Sequence, residues 1–440
     1  MKNLKGKRLL IFLLLGGVFL IGLGGGFLIA GSGRNFLPQK KTVSQASENV
    51  YLAFVDEVYN QIKENYWKTL SDQELTHLFV LAIEKLTGQP QAIEKENKEE
   101  LLKSIVLLVD SLDEDKKKEF VTKLADIVLA NLEPFGRSRL YSKKDEVALK
   151  NTVENKNPDV DRYQILGVDK GASEEEIESS FQEKASQLEA EAKSSTAAAQ
   201  KLAELRRSYE ILSRKESREL YDQLGVEATV TSRLLGSNVL YLRLGKVSPT
   251  TFMELKKVVQ AINHQNRDTL ILDLRGNVGG SVDALPYLLG PFIGKDNFAY
   301  QFFHQGEKVN FQTRAGWLPE LVPYKRVVIL IDERTQSSAE IMASVLKKYN
   351  VGVLVGTKTR GWGTIEKVFP LETQIDPHEK YSMFLVHSLT LRDDGQPIEG
   401  QGVEPMVDVS RKGWEEEFRH YFYDENLLLI VKDLIGKAGS

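Results

Sequence analysis

The spacing of the hydrophobic positions changes along this chain, and the changes divide it into segments. Leu9 to Ala30 is an unbroken run without a charged side chain. From residue 47 to about residue 228, the apolar residues recur every three or four positions, which predicts helices. From residue 236 to 411, short apolar runs alternate with helical patterns, which predicts an α/β layered region with parallel strands. Residues 412–440 return to helical spacing and predict one C-terminal helix.

The first apolar run is a candidate transmembrane helix. As a helix, residues 9–30 would extend about 33 Å, which matches the hydrocarbon thickness of a bilayer. The basic residues of segment 1–8 predict a cytoplasmic N-terminus, with the bulk of this single-pass cell membrane protein on the extracytoplasmic side. A cleaved signal peptide is the alternative, because Ala30-Gly31 is a fair small-residue site. Residues 31–46 then predict a solvated linker.

Two helical segments follow the linker. In residues 47–157 the helical patterns include a capping box at Ser71 and Glu74, and nothing in this segment suggests catalysis, so we expect a packing or spacing role. Residues 158–228 form a second helical unit, in which Ser173 and Glu176 make another capping box.

The second helical unit resembles a DnaJ-type J-domain. The resemblance rests on the opening Asp161 to Val168, the helix spacing and the closing Tyr221-Asp222-x-x-Gly225. The family's His-Pro-Asp tripeptide falls at Glu189-Ala190-Glu191, and the preceding helix is acidic where the family is basic. The resemblance therefore implies a J-like module that does not stimulate a DnaK-type chaperone, and we expect a docking or spacing role.

Composition excludes several classes of function. The chain has 440 residues and a formal net charge of −4, without a basic cluster beyond its first residues, so a nucleic-acid partner is not expected. It has no cysteine, which excludes disulfides and thiolate metal sites. The six histidines lack ligand spacing, so we predict no metal and no cofactor. The sequence predicts no particular oligomeric state.

The turn at Ser337 is the strongest candidate site. The run Arg326 to Ile331 predicts a buried strand, and the apolar positions from Ile341 to Tyr349 predict a helix. Ser337 lies between them, at a turn that exposes a hydroxyl and directs backbone N–H groups towards one point. Ser337 and Glu340 also fit a capping box, in which the serine only caps the helix. The local pattern leaves both interpretations open.

Three sequence blocks between residues 236 and 411 resemble the C-terminal-processing (tail-specific) serine peptidase family. In the family's order, they are Asp273-Leu274-Arg275-x-Asn277-x-Gly279-Gly280, Thr335-x-Ser337-x-Ala339-Glu340-Ile341 and Gly395-x-Pro397-Ile398-x-Gly400-x-Gly402-Val403-x-Pro405. The resemblance implies an α+β multidomain protein whose core is a crotonase- or ClpP-like spiral of β-β-α units. It also implies that Ser337 is the nucleophile and that the N–H groups of Gly279, Gly280 and Ser338 bind the oxyanion.

The sequence departs from this family at the general base. In the family, a lysine 25 residues after the nucleophile accepts the serine proton, and here that position holds Trp362. An indole N–H donates a hydrogen bond and cannot accept a proton at neutral pH. Lys358, in the same loop, is the candidate substitute base. Lys367 is expected to point to the other face of its strand.

Two hypotheses of function follow. The first is a membrane-anchored, extracytoplasmic serine peptidase that acts on polypeptides through Ser337 with a non-standard base. The second is a catalytically inactive pseudopeptidase that binds peptides or partners through the cleft and the J-like module. This module stands where the family usually has a PDZ domain, which captures the C-terminus of a substrate by strand addition. The usual way of recognising a substrate tail is therefore not expected here.

Overall fold

The computed structural model describes most of the chain after the predicted membrane segment. The described residues are 49–438, except residues 92, 237, 263, 266 and 393. The predictions for residues 1–8, 9–30 and 31–46 therefore lie outside the described part. Within that part, no helix has both the length and the apolar character needed to cross a bilayer.

Four amphipathic helices open the described chain and share one hydrophobic core. They are α1 (Val50–Asn65), α2 (Asp72–Thr87), α3 (Lys98–Asp110) and α4 (Glu114–Ala130). The predicted capping box at Ser71 is present. The segment is not wholly helical, because β1 (Arg139–Ser142) separates these helices from α5 (Lys143–Glu154). Periodicity missed β1 because its four residues take their strand conformation from pairing with a distant segment.

The J-like module has its own small core and four helices. They are α6 (Arg162–Leu166), α7 (Glu174–Ala192), α8 (Thr196–Leu212) and α9 (Lys215–Leu224). The capping box of Ser173 and Glu176 is present. Glu189, in the replaced tripeptide, forms a 2.9 Å ion pair with Arg206 on α8.

A six-stranded sheet forms the centre of the region from residue 230 onwards. In spatial order its strands are β11 (Val407–Asp408), β8 (Val353–Gly356), β7 (Arg326–Ile331), β4 (Thr269–Asp273), β3 (Val239–Leu244) and β2 (Val230–Leu235). All neighbours are parallel except the β2–β3 pair. The predicted parallel α/β layering is confirmed, and the spiral of β-β-α units stays a prediction.

Helices pack on both faces of this sheet. One face packs against α10 (Thr251–Gln260), α11 (Leu285–Ile293) and α12 (Ser338–Lys348). The other face packs against α13 (Trp414–Phe422) and α14 (Glu425–Ala438).

The prediction of one C-terminal helix is wrong, because two helices lie within residues 414–438. Tyr423, between α13 and α14, has a left-handed backbone with φ 47°. The Asp424 carboxylate then accepts the N–H of Leu427 at 2.9 Å and starts the second helix. A continuous apolar periodicity hides such a break, since two short helices on one sheet face bury the same kinds of residues.

A second sheet, antiparallel and five-stranded, joins the N-terminal helices to the region of the candidate site. Its further strands are β5 (Phe298–His304), β6 (Glu307–Gln312), β9 (Thr364–Pro370) and β10 (Tyr381–Leu391). The long strand β10 pairs with β1, β5 and β9. It therefore brings the segment around β1 close to the loop before β9, where Trp362 lies.

Candidate active site

Ser337 lies at the turn between β7 and α12 in a strained backbone conformation. Its φ and ψ are 54° and −125°. A non-glycine residue in such a region costs about 1–3 kcal/mol and persists only when its surroundings hold it. The predicted strand-to-helix turn is therefore present, with an unusual backbone at the candidate serine.

The surroundings that hold Ser337 come from the loop after β4. The Gln336 N–H donates to the carbonyl of Asn277 at 2.8 Å. The Thr335 hydroxyl donates to the carbonyl of Leu274 at 3.0 Å. These two bonds fasten the serine turn to the glycine-containing loop that the sequence singled out.

Positions 279 and 280 require glycine because the loop after β4 closely approaches the serine turn and neighbouring backbone. Gly279 has φ 84°, and a Cβ there would lie 2.7 Å from the Cβ of Ser337. Gly280 has φ 135°, and a Cβ there would lie 2.1 Å from the carbonyl oxygen of Val247. A side chain at either position would push the loop away from the serine turn.

The three predicted oxyanion donors differ in what they bind. The N–H of Gly279 donates to Oδ1 of buried Asn277 at 2.8 Å. The N–H groups of Gly280 and Ser338 have no hydrogen-bond acceptor among the described residues. The Ser338 hydroxyl donates to the carbonyl of Gly280 at 3.1 Å and holds these two residues together. Gly280 and Ser338 thus present two available amides.

Glu340 joins the serine turn to the loop that precedes β9. Its side chain is fully buried, and burial raises the pKa of its carboxyl group, opposed by hydrogen bonds to the ionised form. One oxygen, Oε2, accepts the N–H of Ser337 at 2.9 Å and the N–H of Trp362 at 2.7 Å. The other, Oε1, accepts the Thr359 hydroxyl at 2.5 Å and the N–H of Gly361 at 2.7 Å.

These contacts also bear on the capping interpretation of Ser337. The capping box is present in outline, with the Glu340 carboxylate on the N–H of Ser337. The N–H of Glu340 donates to the carbonyl oxygen of Ser337 at 2.8 Å, and no hydrogen bond to the Ser337 hydroxyl occurs among the described residues. The helix is thus capped by the glutamate, which leaves the serine hydroxyl available.

Two arginines lie close to the indole ring of Trp362. The Arg137 guanidinium carbon lies 4.0 Å from the indole ring centroid, and that of Arg360 lies 5.4 Å from it. The indole remains 38% exposed. Arg137 also donates to the Thr364 hydroxyl at 3.3 Å and forms a 3.1 Å ion pair with Glu399. The N-terminal helical segment therefore forms a packed core, as predicted, and also places one residue against Trp362.

Among the described residues, neither Lys358 nor Lys367 forms a hydrogen bond with Ser337. Lys358 forms a 2.8 Å ion pair with Glu404, and both side chains are about half exposed. Lys367 lies 3.4 Å from Nε2 of His387. Burial lowers the pKa of Lys367, and it lowers the pKa of His387 to about 3. Lys358 therefore has no visible support as the substitute base.

Two carboxyl groups near Trp362 were missed by the sequence analysis. Glu366 accepts the Thr364 hydroxyl at 2.6 Å, and Glu399 accepts the N–H of Gly363 at 2.8 Å. Burial raises the pKa of both carboxyl groups. The motifs do not specify Glu366, Glu399 or Arg137. Arg137 lies more than 200 residues before the two glutamates, so only the fold brings it close to them.

Comparison with known families assigns two parts of the chain. The sequence profile of peptidase family S41 matches residues 238–409, and that of the DnaJ domain matches residues 161–222. Both resemblances inferred from the motifs are thereby confirmed.

Two curated relatives agree with the first assignment. A carboxyl-terminal-processing protease of Synechocystis is 29% identical over 35% of this chain and 35% of its own length. The carboxy-terminal processing protease CtpA of Bacillus subtilis is 29% identical over 42% of this chain and 38% of its own. A solved lipoprotein structure from Streptococcus agalactiae has a TM-score of 0.46 and 12% identity, over 89% of this chain and 99% of that one. The chain thus spans about a third of the length of the curated relatives it matches.

Proposed function

Because residues 238–409 belong to peptidase family S41, we propose that this chain is a serine peptidase of the C-terminal-processing type that cleaves polypeptides with Ser337 as its nucleophile. One observation carries the proposal. Ser337 is held in a strained backbone beside two amides, of Gly280 and Ser338, that have no acceptor among the described residues. Such strain persists where surrounding contacts over-determine it, and it is concentrated at active sites.

The proposed chemistry is acyl transfer. The Ser337 hydroxyl oxygen attacks the carbonyl carbon of a peptide bond and loses its proton to a base. The N–H groups of Gly280 and Ser338 donate to the oxyanion that forms. Collapse of the intermediate releases the amine, and water then hydrolyses the Ser337 ester. Glu340 acts as a positioning residue in this scheme, because it fixes the backbone on both sides of the reacting serine.

A second candidate function is peptide binding without cleavage. The observation in its favour is the stack of Trp362 with Arg137, since neither an indole nor a guanidinium accepts a proton at neutral pH. In this case the cleft and the J-like module would form a scaffold for a polypeptide partner. The replaced tripeptide at Glu189-Ala190-Glu191 favours a partner other than a DnaK-type chaperone for the module.

The proposed location is the extracytoplasmic side of the cell membrane, with residues 9–30 as a retained anchor. It is supported by the length of the uncharged run and by the basic residues that precede it. Protease digestion of intact and permeabilised cells tests it. Residues 49–438 are expected to be digested in cells that have lost their outer layers but keep an intact cytoplasmic membrane, and protection until that membrane is permeabilised would contradict the proposal.

The activity is tested with the full chain and a fluorophosphonate probe, which labels activated serines. We expect labelling of the wild type, none of Ser337→Ala, and normal labelling of Ser410→Ala, whose hydroxyl lies on the surface and bonds Asp408 at 2.6 Å. Cleavage of an unfolded substrate should follow the same order. A wild type that is inert, but gains labelling on Trp362→Lys, would establish the binding function instead.

A further inference from the structure

Arg360 and Trp362 are exposed side chains on a loop whose backbone is firmly held. The N–H groups of residues 360–363 all have acceptors among the described residues. In chain order these acceptors are the carbonyl of Thr335 at 3.0 Å, Oε1 of Glu340 at 2.7 Å, Oε2 of Glu340 at 2.7 Å and Oε2 of Glu399 at 2.8 Å. Because four successive amides are bonded, the loop holds the Cα atoms of Arg360 and Trp362 in fixed positions.

The loop lies directly beside the candidate nucleophile. Oε2 of Glu340 accepts the N–H groups of both Ser337 and Trp362, at 2.9 and 2.7 Å, so these two nitrogen atoms are less than about 6 Å apart. The N–H of Arg360 bonds the carbonyl of Thr335, two residues before Ser337. The side chains of Arg360 and Trp362 therefore leave the backbone next to the serine turn, and a polypeptide bound at that turn passes close to them.

The two arginines near Trp362 differ in how their charges are compensated. Arg137 forms a 3.1 Å ion pair with Glu399, and both of these side chains are mostly buried. Arg360 is exposed and forms no ion pair with any residue that the structure describes. Its guanidinium carbon lies 5.4 Å from the centroid of the indole ring, and Trp362 is 38% exposed. The loop thus presents an uncompensated positive charge beside an exposed aromatic surface.

This pair of groups is suited to an acidic side chain of a polypeptide. A guanidinium binds a carboxylate through two parallel N–H groups, and an indole gives contact area to carbon atoms of the same peptide. Tryptophan and arginine are among the residues that most often dominate binding at protein interfaces. A terminal carboxylate bound so close to Ser337 would confine the serine to the last peptide bonds of a chain, whereas an acidic side chain can bind here at any distance from the chain end.

We propose that Arg360 and Trp362 form a subsite that selects an aspartate or glutamate side chain in the polypeptide bound beside Ser337. This inference rests on the proposed function only in placing a polypeptide at the serine turn, and it holds whether that polypeptide is cleaved or only bound. Arg360 pairs with the carboxylate, and Trp362 packs against the neighbouring part of the peptide. Both residues determine specificity, and neither transfers a proton.

The test is peptide binding to the full chain carrying Ser337→Ala, which separates recognition from cleavage. The probe is a short alanine–serine peptide with one central glutamate, an amidated C-terminus and an uncharged fluorophore, whose anisotropy reports binding. The same peptide with glutamine in place of glutamate should bind about 3–5-fold more weakly, which corresponds to the upper part of the range for an exposed ion pair. Added salt should reduce this ratio, because it screens exposed charges.

Two substitutions in the Ser337→Ala background should affect binding differently. Arg360→Gln should remove the preference for glutamate, and Trp362→Ala should weaken binding of both peptides alike. The matched control is Arg233→Gln, which should keep the preference. Arg233 is also exposed, forms no ion pair among the described residues and lies 4.6 Å from the ring centroid of Tyr241, but it is on β2 at the edge of the central sheet.

A preference for glutamate that survives Arg360→Gln, or that Arg233→Gln also removes, would overturn the proposal. So would a glutamine peptide whose free C-terminus raises its affinity as much as glutamate does, since that result assigns a terminal carboxylate to the site. Binding of neither peptide by protein that circular dichroism shows to be folded would refute the subsite. Fluorophosphonate labelling of the chain with Ser337 intact tests the nucleophile separately, so either proposal can fail without the other.

Discussion

The serine turn and the loop before β9 are joined by one carboxylate, yet they differ in what they retain of the peptidase family. At the serine turn, the serine and the glycines of the resemblance are present, and two of the three predicted amides are available. In the loop, the glycines on either side of residue 362 remain, but the expected lysine is a tryptophan stacked on Arg137. The family's backbone pattern is thus retained at the site, whereas the side chain of the expected base is replaced.

The two regions differ in the kind of chemical group they supply, because the serine turn supplies backbone amides and the loop is expected to supply a side-chain base. The oxyanion donors are backbone groups, so their positions depend on φ angles and close packing, which glycines and the Glu340 bonds enforce together. The proton acceptor is a side chain, so its identity can change without any change in the backbone. A loop can therefore change its base while it keeps its shape. The predictions below test how far the two regions depend on each other.

The largest expected effect is that of Glu340→Ala, which would separate the two regions. The change leaves the N–H groups of Ser337, Gly361 and Trp362 without their acceptor in a buried place. Each unsatisfied group costs about 1–3 kcal/mol, so the free energy of unfolding should fall by more than about 3 kcal/mol. Urea denaturation measures it. Glu333→Ala, whose exposed carboxylate accepts only the Thr357 hydroxyl at 2.9 Å, is the control, and an equal loss there would contradict the linking role of Glu340.

Gly279→Ala should disrupt the serine turn with a smaller loss of stability. The new Cβ would lie 2.7 Å from the Cβ of Ser337 and 2.9 Å from the carbonyl oxygen of Gln336. We expect loss of serine labelling and about 1–3 kcal/mol of destabilisation from overpacking, beyond the strain of a positive φ. The matched control is Gly276→Ala in the same loop, which has φ 67° with nothing within 4 Å of its Cβ. Similar effects of the two substitutions would show that strain alone, and not the contact with Ser337, matters.

The stack of Arg137 on Trp362 should contribute a moderate coupling energy. A double-mutant cycle with Arg137→Ala and Trp362→Ala isolates it, and we expect about 0.5–2 kcal/mol, as for a partly desolvated cation–π pair. A parallel cycle with Arg360→Ala should give a smaller value, because that guanidinium lies farther from the ring and is exposed. Equal couplings, or none with Arg137, would mean that the loop holds Trp362 without the helical segment.

The smallest expected effect is a change in the pH dependence of stability in Glu366→Gln. The folded pKa of Glu366 is raised above its unfolded value of about 4.3. Its stabilising contribution is therefore complete below that unfolded value and is lost as pH rises through the folded pKa. Glutamine does not ionise, so the melting temperature of the variant should rise relative to that of the wild type as pH increases from 4 to 8. Glu404→Gln, which changes an exposed carboxyl group, should show no such trend beyond its ion pair.

Much of the fold could be predicted where the pattern of apolar residues is regular. The parallel strands β3, β4 and β7 are continuous apolar runs because both of their faces pack on helices. The capping boxes at Ser71 and Ser173 mark real helix starts, since their hydrogen bonds are local. The strand β1 and the break at Tyr423 were not predicted, because pairing with β10 and packing on the central sheet, respectively, decide them.

By itself, the sequence determined that residues 238–409 resemble peptidase family S41, that residues 161–222 resemble a J-domain, and that Trp362 stands at the position expected for the lysine. These follow from motifs whose residues are near one another along the chain, where spacing alone fixes geometry. Only the tertiary structure decided which amides near Ser337 are available, that Glu340 ties the serine turn to the Trp362 loop, and that Arg137 joins the site with Glu366 and Glu399. Contacts between residues so far apart in the chain depend on packing and sheet pairing, so no local pattern of residues predicts them.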